Sequence, residues 1–433
     1  MIDVQKRNCH VDVTIDERAT IETVSGNQHD REEWFMDQAL GMFIHWSIDS
    51  HIGSVISHGM VAASERILRQ YMQDLPATFN PSRFNPDDYA RLARTVGMKY
   101  AVFTTKHHAG FCMYDTAVTP YNIMNTPYGK DVTAMFMDSF RRHGVAPGMY
   151  FSPLDFLWLY ESNKTIQFLC DDVRPECNPG LMEYNKRQLR ELLSSYGKID
   201  TLFFDGPPAG LNELAWSMQK DVVITRGAME TPEQVLPDQA IPGPWESCHT
   251  IGTQWNYKAT NVHNKTGNEL IRLLIETRAK GGNLLLNVTP DPYGCIPHDQ
   301  ESLLRELGLW LFYNNPAIYE VRPWPVIREG DIWFTKAKTE DTVYAIDTSG
   351  PWEHGKWHDV TLKSVKASAD SKVILLGQND LVIEHQYDVD VKTKWHQDEN
   401  GLHIKAMRCH RPYGNRAWHN PVTIKITKCE FAG

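Results

Sequence analysis

The sequence lacks several features that would assign it to a class at once. It contains no run of 18 apolar residues, and its first residues, MIDVQKRNCHVDV, contain no apolar stretch. We therefore expect neither a membrane span nor a signal peptide in this chain. The localisation is left open: the protein is cytoplasmic, or it is exported and its leader has been removed. Basic runs with interleaved aromatics are absent and the formal net charge is −10, which disfavours a nucleic-acid partner and favours a neutral ligand.

Metal and redox motifs are also missing. The eight cysteines are scattered without a C-x-x-C pair, which argues against a zinc ribbon or a thioredoxin-type site. We expect mostly free thiols, with a Cys170–Cys177 bridge left open. Because there is no H-x-H, H-E-x-x-H or carboxylate cluster at ligand spacing, we expect no metal and no cofactor.

The chain does contain a clear alternation of strands and helices. With 433 residues it exceeds the size of a single core, so two domains are expected. From about residue 38, buried β-type runs alternate with amphipathic helices; the runs are LGMFIHW, KYAVFTTK, APGMYFS, IDTLFFD, DVVIT and NLLLNV. Strands that are apolar on both faces are typical of parallel sheets covered by helices. This predicts a (β/α)8-like barrel, complete or distorted, since residues 226–262 are too irregular to place strands.

After residue 322 the pattern changes to short alternating segments, namely TVYAID, VTLKSV, KVILLG, LVIEHQ, LHIKAM and VTIKITK. Polar turns separate them, which predicts a C-terminal antiparallel β-sandwich. The expected organisation is therefore an N-terminal arm over 1–30, a catalytic barrel over 31–322 and an accessory sandwich over 323–433.

Polar residues that end the apolar runs are the candidates for chemistry, because reactive groups of parallel barrels lie at the C-terminal ends of strands. They are His45, the pair His107 and His108, Asp155 and Asp205. Asp205 ends LFFDG and is followed by Gly and two Pro, which places a carboxylate at a rigid corner. A helix N-cap or an ion-pair partner is the alternative for this aspartate.

Glycoside hydrolysis needs a second carboxylate, and Glu246 in PGPWESCH is the candidate, on a Pro/Gly-rich loop that could cover the barrel mouth. A solvated loop glutamate is the alternative. Adjacent His107 and His108 should point to opposite sides of a strand, which disfavours a metal and favours hydrogen bonds to hydroxyl groups. Core histidines are the alternative.

Several segments together resemble the α-L-fucosidases of glycoside hydrolase family 29. The resemblance covers about residues 34–325 and includes GMFIHW, KHHAGFCMYDT, FFDG, WESCHTIGTQWNY and GGNLLLNVTPDPYG. It departs from the family pattern at Ser47, Ala109 and Phe203, where Gly, Asp and Trp are common. These departures concern the shape of the pocket and leave the candidate carboxylates in place.

The resemblance implies a role for each matching residue. His45, His107 and His108 would bind fucose hydroxyls, Asp205 would attack the anomeric carbon, and Arg226 would contact the sugar. Glu246 would be the acid/base, with Glu65 in AASERI as a rival. Trp46 and Trp255 would form apolar walls for the fucose methyl group, or else belong to the core.

We therefore expect a retaining exo-α-L-fucosidase that acts by double displacement on terminal fucosyl residues of an oligosaccharide or glycoconjugate. A related exo-glycosidase such as an α-L-galactosidase, and a non-catalytic fucose-binding protein, are the alternatives. Oligomeric state and linkage preference are left open.

Overall fold

The computed structural model describes residues 26–168, 170–260, 262–378, 388–410 and 417–433. Its centre is a curled parallel sheet of seven strands in the order β5-β4-β3-β2-β1-β7-β6. The strands are β1 (Leu40–Ile44), β2 (Tyr100–Lys106), β3 (Ala146–Phe151), β4 (Thr201–Phe204), β5 (Val223–Ile224), β6 (Glu246–Thr250) and β7 (Asn283–Val288). All six predicted runs form strands, which confirms the barrel-type fold.

Strand β6 was not predicted, and it lies in the stretch that appeared too irregular for strands. Every residue of β6 is buried, and β6 pairs with β7 in parallel, Glu246 opposite Asn283. The segment 230–234 lies along the other edge of β6: the amide of Glu246 donates to the carbonyl of Glu230 (3.1 Å), and the amide of Cys248 donates to the carbonyl of Pro232 (3.1 Å). This irregular segment therefore occupies the place next to β6 where an eighth strand would run.

Amphipathic helices surround the sheet, as the three- and four-residue spacing of apolar residues predicts. They are α1 (His29–Gln38), α2 (Glu65–Arg69), α3 (Leu75–Thr78), α4 (Pro86–Val96), α5 (Val132–Arg142), α6 (Phe156–Glu161), α7 (Pro179–Ser195), α8 (Leu211–Met218), α9 (Gly267–Ala279) and α10 (His298–Asn314). Their apolar faces pack against one set of strand residues in a large core, and other strand residues, among them Phe43, Tyr150 and Phe203, form a second, smaller core. In the described part of the chain, no helix is both long and apolar enough to span a bilayer.

The C-terminal region is built from antiparallel sheets, which confirms the predicted sandwich. One sheet has the order β14-β18-β10-β9-β8 and another β12-β16-β15, with two further strand pairs, β11-β17 and β13-β19. The strands are β8 (Val321–Glu329), β9 (Ile332–Ala337), β10 (Thr342–Asp347), β11 (Trp352–Glu353), β12 (Trp357–Leu362), β13 (Val365–Ala367), β14 (Val373–Leu375), β15 (Lys394–Asp398), β16 (Gly401–Met407), β17 (Ala417–Trp418), β18 (Val422–Thr427) and β19 (Cys429–Phe431). The predicted strand LVIEHQ lies outside the described residues.

The sandwich is bonded directly to the barrel helices. The buried indole of Trp310 on α10 donates to the carbonyl of Pro421 (2.8 Å), and Arg272 on α9 donates to the carbonyl of Thr348 (2.5 Å). Lys338 pairs with Asp37 on α1 (2.8 Å). These contacts favour a bracing role for the sandwich.

The N-terminal arm and the Cys170–Cys177 bridge are the two remaining predictions about the fold. Residues 1–25, most of the predicted arm, lie outside the described residues, and α1 begins at His29. The seven described cysteines are free thiols, including Cys170 and Cys177, so the bridge that the sequence left open is not formed.

Candidate active site

The polar residues that follow β1, β2, β4 and β5 converge at one end of the barrel. His45 follows β1, His107 and His108 follow β2, Asp205 follows β4 and Arg226 lies two residues past β5. The ring of His107 lies 5.9 Å from His45 and 4.2 Å from His108. The structure therefore brings together five of the residues that the sequence predicted for the site.

Asp205 contacts three polar side chains of this cluster. Its Oδ2 accepts from the phenol of Tyr150 (2.5 Å) and lies 3.4 Å from Nε2 of His108, and its Oδ1 accepts from Nη1 of Arg226 (3.0 Å). Burial would raise the pKa of this carboxyl. His108, which is protonated in the acidic range where Asp205 titrates, acts with Arg226 and the Tyr150 bond to outweigh burial and lower that pKa to about 2. Asp205 is thus an ionised carboxylate at any physiological pH, as a nucleophile requires.

The guanidinium of Arg226 joins Asp205 to a second carboxylate that the sequence analysis did not single out. Nη1 donates to Asp205, and Nη2 donates to Oε2 of Glu233 at 2.9 Å. The Arg226 group lies over the Phe203 ring at 4.7 Å, which fixes its plane. Glu233 belongs to the segment beside β6, and 41% of its side chain is exposed. It is therefore a solvent-accessible carboxylate separated from Asp205 by one planar group.

Tyr150 was also missed. Its ring stacks on His107 (5.3 Å, 3° between planes) and on Phe203 (5.6 Å, 16°), and its hydroxyl bonds to Asp205. Tyr150 lies inside the apolar run APGMYFS, where a tyrosine is indistinguishable from a core residue. Its place as the next-to-last residue of β3 is a signal that could have identified it, because the carboxyl ends of the strands form the barrel mouth.

His45 is held as one neutral tautomer. Asn287 uses its amide nitrogen to donate to the carbonyl of Trp255 (2.8 Å), so its Oδ1 accepts from Nδ1 of His45 (2.7 Å). Burial lowers the pKa of His45 to about 4, and the imidazole is neutral near pH 7. With Nδ1 protonated, Nε2 is left as a hydrogen-bond acceptor.

His108 is fixed in the same way. The hydroxyl of Ser152 donates to the carbonyl of Leu154 (3.0 Å) and therefore accepts from Nδ1 of His108 (2.6 Å). Burial lowers the pKa of His108 to about 4, so Nε2 carries a lone pair that faces Oδ2 of Asp205. Two acceptors that face each other create a place for a hydroxyl donor.

Both rings of the histidine pair reach the site, although alternation along a strand predicted opposite directions. Strand β2 ends at Lys106, and the chain turns immediately, with Gly110 at φ +85°. Alternation holds only within the strand. An added Cβ at Gly110 would lie 2.4 Å from Oδ1 of Asp155, so this turn requires glycine.

His107 is positioned by a strained serine. Ser57 has φ +60°, in the left-handed region that side chains other than glycine rarely adopt. Its hydroxyl bonds to Nδ1 of His107 (2.8 Å) and accepts from the amide of Ala109 (2.8 Å). Its own amide donates to the buried carboxyl of Asp49 (2.6 Å). Strain that persists because surrounding groups enforce it is characteristic of functional sites.

The two predicted tryptophan walls have different surroundings. Trp255 lies 4.8 Å from the His45 ring and 5.9 Å from Phe43, beside the histidine cluster. Trp46 is fully buried and packs against Phe79 and Phe84. The placement of Trp255 supports its assignment as a wall, and that of Trp46 favours the core alternative.

Glu246 is not brought to this cluster. It is the first residue of β6, whereas Asp205 follows the last residue of β4, so the two lie toward opposite ends of the parallel sheet. Its Oε2 accepts from the phenol of Tyr100 (2.5 Å), the first residue of β2. Glu246 lies four residues before the carboxyl end of β6, which is about 13 Å along an extended strand. The expected loop over the barrel mouth is instead a buried strand.

The electrostatics of Glu246 agree with an interior position. Burial raises its pKa to about 7, although the hydrogen bonds from Tyr100 and Thr225 and the charge of Arg226 act in the opposite direction. A value near 7 suits a general acid, but here it arises from desolvation alone. A proton donor must also reach the leaving group, and the position of Glu246 at the start of β6 does not allow that.

Two other carboxylates have structural surroundings. Glu65, the predicted rival, begins α2 on the surface and bonds to Arg69 (3.0 Å) and Tyr160 (2.6 Å). Asp155 is fully buried, pairs with Lys106 (3.0 Å) and caps the start of α6. None of these hydrogen bonds or ion pairs joins Glu65 or Asp155 to Asp205.

One group of potential metal ligands lies in the site. Ligand atoms of His107, His108 and Asp205 are within 4.8 Å of one another. Their other contacts, to Ser57, Ser152, Tyr150 and Arg226, already orient all three. The absence of a metal stays a prediction.

Known proteins match most of this chain. The family model described as Alpha-L-fucosidase matches residues 9–316. The tissue alpha-L-fucosidase of Homo sapiens is 30% identical, in a match that covers 80% of this chain and 81% of that protein. That of Mus musculus is 29% identical, over 79% of this chain and 83% of that protein.

Among solved structures, alpha-L-fucosidase isoenzyme 1 from Paenibacillus thiaminolyticus has a TM-score of 0.74 and 27% identity, and the match covers 92% of this chain and 98% of that one. An alpha-L-fucosidase of glycoside hydrolase family 29 from Bacteroides thetaiotaomicron shares the fold, with a TM-score of 0.73 at 21% identity over 93% of this chain and 96% of that one. The chain is thus a glycoside hydrolase, and it belongs to the α-L-fucosidase family, glycoside hydrolase family 29.

Proposed function

We propose that the chain is a retaining exo-α-L-fucosidase in which Asp205 is the nucleophile and Glu233 the acid/base. The observation that carries this proposal is the Arg226 guanidinium, whose two terminal nitrogens bond to the two carboxylates. A single planar group between them is compatible with the separation of about 5 to 5.5 Å that retention needs. Exposure of Glu233 allows it to exchange its proton with solvent.

The reaction then has two steps. In the first, Asp205 forms a bond to C1 of the fucosyl residue while the bond from C1 to the leaving oxygen breaks and Glu233 donates its proton to that oxygen. In the second, water attacks C1, Glu233 accepts the proton of that water, and the ester bond to Asp205 breaks. Two inversions at C1 give net retention, and both carboxyl groups return to their starting states.

The neutral imidazoles provide hydroxyl recognition in this scheme. Nε2 of His45 is an acceptor, and Nε2 of His108 together with Oδ2 of Asp205 forms a double acceptor 3.4 Å across. A sugar hydroxyl on the carbon next to C1 is the group that lies beside an attacking nucleophile, so it is the hydroxyl that fits between His108 and Asp205. Donation to an anionic acceptor is stronger than to a neutral one.

The substrate is proposed to be a terminal α-L-fucosyl residue of an oligosaccharide or glycoconjugate. The partly buried Trp255 ring next to His45 offers an apolar surface suited to the fucose methyl group. An α-L-galactoside carries a hydroxymethyl group there instead. Comparing kcat/KM on the two aryl glycosides tests this choice: a preference for the galactoside would contradict it.

The stereochemical test is an NMR measurement of the first sugar released. Appearance of α-L-fucose before mutarotation supports double displacement, and β-L-fucose as the initial product would contradict it. Asp205→Gly with added azide gives a second, independent readout: β-fucosyl azide is expected, since azide then attacks from the face that the nucleophile occupied.

A further inference from the structure

The hairpin formed by β15 and β16 carries three metal-type ligands on one face, far along the chain from the catalytic residues. His396 and Asp398 are two residues apart on β15 and therefore share a face, and His403 on β16 is directly opposite His396. One ligand atom from each lies within 4.8 Å of the others. The two imidazoles stack with centroids 4.7 Å apart at 14°.

Neighbouring groups orient these ligands. Nδ1 of His403 is bonded to Oγ1 of Thr361 on β12 (3.1 Å), and Nε2 of His403 lies 2.9 Å from Oδ1 of Asp398. Asp398 also accepts from the amide of Asn400 (2.8 Å). A histidine whose second ring nitrogen is held by a polar partner is the usual arrangement at protein metal sites.

We propose that His396, Asp398 and His403 bind one divalent transition-metal ion of the zinc type. Two ligands of a tetrahedral zinc ion lie about 3.3 Å apart, given bonds of about 2.0 to 2.1 Å. Asp398 and His403 are already closer than that, and the exposed His396 ring closes the remaining gap by rotation. Two imidazoles and one carboxylate select zinc, nickel or copper over magnesium or calcium.

Three protein ligands leave the fourth coordination position to water. The ion replaces the contact between His403 and Asp398, and both imidazoles must be neutral to bind it. Metal affinity therefore falls with falling pH, because protons compete with the ion for the ring nitrogens. The proposal is independent of the fucosidase mechanism.

The test is calorimetric titration of the full chain with zinc chloride at pH 7.5, in wild type and in His396→Ala, Asp398→Asn and His403→Ala. We expect one saturable site whose affinity drops at least about 10-fold in each ligand variant, and about 10-fold in Thr361→Val. His263→Ala removes an exposed histidine outside the hairpin and should leave binding unchanged. Circular dichroism confirms that each variant is folded.

Two outcomes overturn the proposal. The first is the absence of saturable zinc binding by the wild-type chain. The second is unchanged affinity in His403→Ala together with zinc inhibition of hydrolysis, which would locate the ion at His107, His108 and Asp205. Loss of binding in the hairpin variants with unchanged hydrolysis supports the proposal.

Discussion

Replacing Glu233 with glutamine removes the proposed proton donor while it keeps the size of the side chain and a carbonyl oxygen that accepts from Arg226. General acid/base catalysis contributes about 10²- to 10⁴-fold to rate, which corresponds to about 3 to 5 kcal/mol of transition-state stabilisation. We therefore expect kcat/KM for a fucosylated oligosaccharide to fall by that factor. A fucoside of an acidic phenol needs little protonation of its leaving group and should lose much less in the first step.

The assay compares those two substrates in Glu233→Gln and adds azide. Azide attacks the fucosyl-enzyme without needing a base, so it should restore turnover and yield α-fucosyl azide. Glu230→Gln is the matched control, because Glu230 is an exposed glutamate three residues earlier in the same segment. Its kcat/KM should stay within about 3-fold of wild type, as expected for a surface substitution.

Glu246→Gln is the decisive comparison, since Glu246 was the acid/base expected from sequence. Tyr100 can donate to a glutamine oxygen, so hydrolysis should be largely retained. The folded pKa of Glu246 is about 7 against an ordinary value of 4.5, so the carboxyl costs stability progressively as pH rises from 4.5 to 7. Above that range the cost is roughly 3 kcal/mol, and the variant should be more stable than wild type by an amount of this order.

Urea unfolding of both proteins at pH 5 and pH 8 measures that difference. The reasoning is refuted if Glu246→Gln abolishes hydrolysis with azide rescue while Glu233→Gln behaves as wild type. That result would make Glu246 the proton donor despite its position at the amino end of β6.

Three further predictions concern the site and the domains. Ser57→Ala and Ser57→Gly should both raise KM about 10-fold, because both remove the hydrogen bond to His107. The glycine variant should be the more stable of the two by about 1 kcal/mol, because glycine relieves the left-handed strain. Full activity in Ser57→Gly would show that the strain matters and the hydroxyl does not. The acid limb of the kcat/KM profile against pH should lie near pH 4, where His45 and His108 become protonated. A limb near pH 6.5 would contradict the burial-lowered pKa values of these two residues. The same pKa shifts make the free energy of unfolding fall as the pH drops from 6.5 to 4. Deleting 323–433, the proposed accessory domain, should yield insoluble protein because it uncovers Trp310, whereas a soluble, active barrel would refute bracing.

Much of the fold and half of the site follow from sequence alone. Buried parallel strands are continuous apolar runs, so the β1 to β5 and β7 segments could be recognised without coordinates. Because such strands end at the barrel mouth, His45, His107, His108 and Asp205 could be assigned to one cluster from their positions after apolar runs. These inferences need only local patterns and one rule about where parallel strands end.

Only the tertiary structure shows which other carboxylate is linked to Asp205 through Arg226. Glu233 and Glu246 both lie in the stretch 226–262, where periodicity is weak, and local sequence does not tell a strand from a loop there. Glu246 stands at the start of a short buried strand and Glu233 in the irregular segment beside it, a register set by pairing with β7 and by hydrogen bonds along β6. Contacts between residues far apart in sequence create that arrangement, so the Arg226 bridge from Asp205 to Glu233 is visible only in three dimensions.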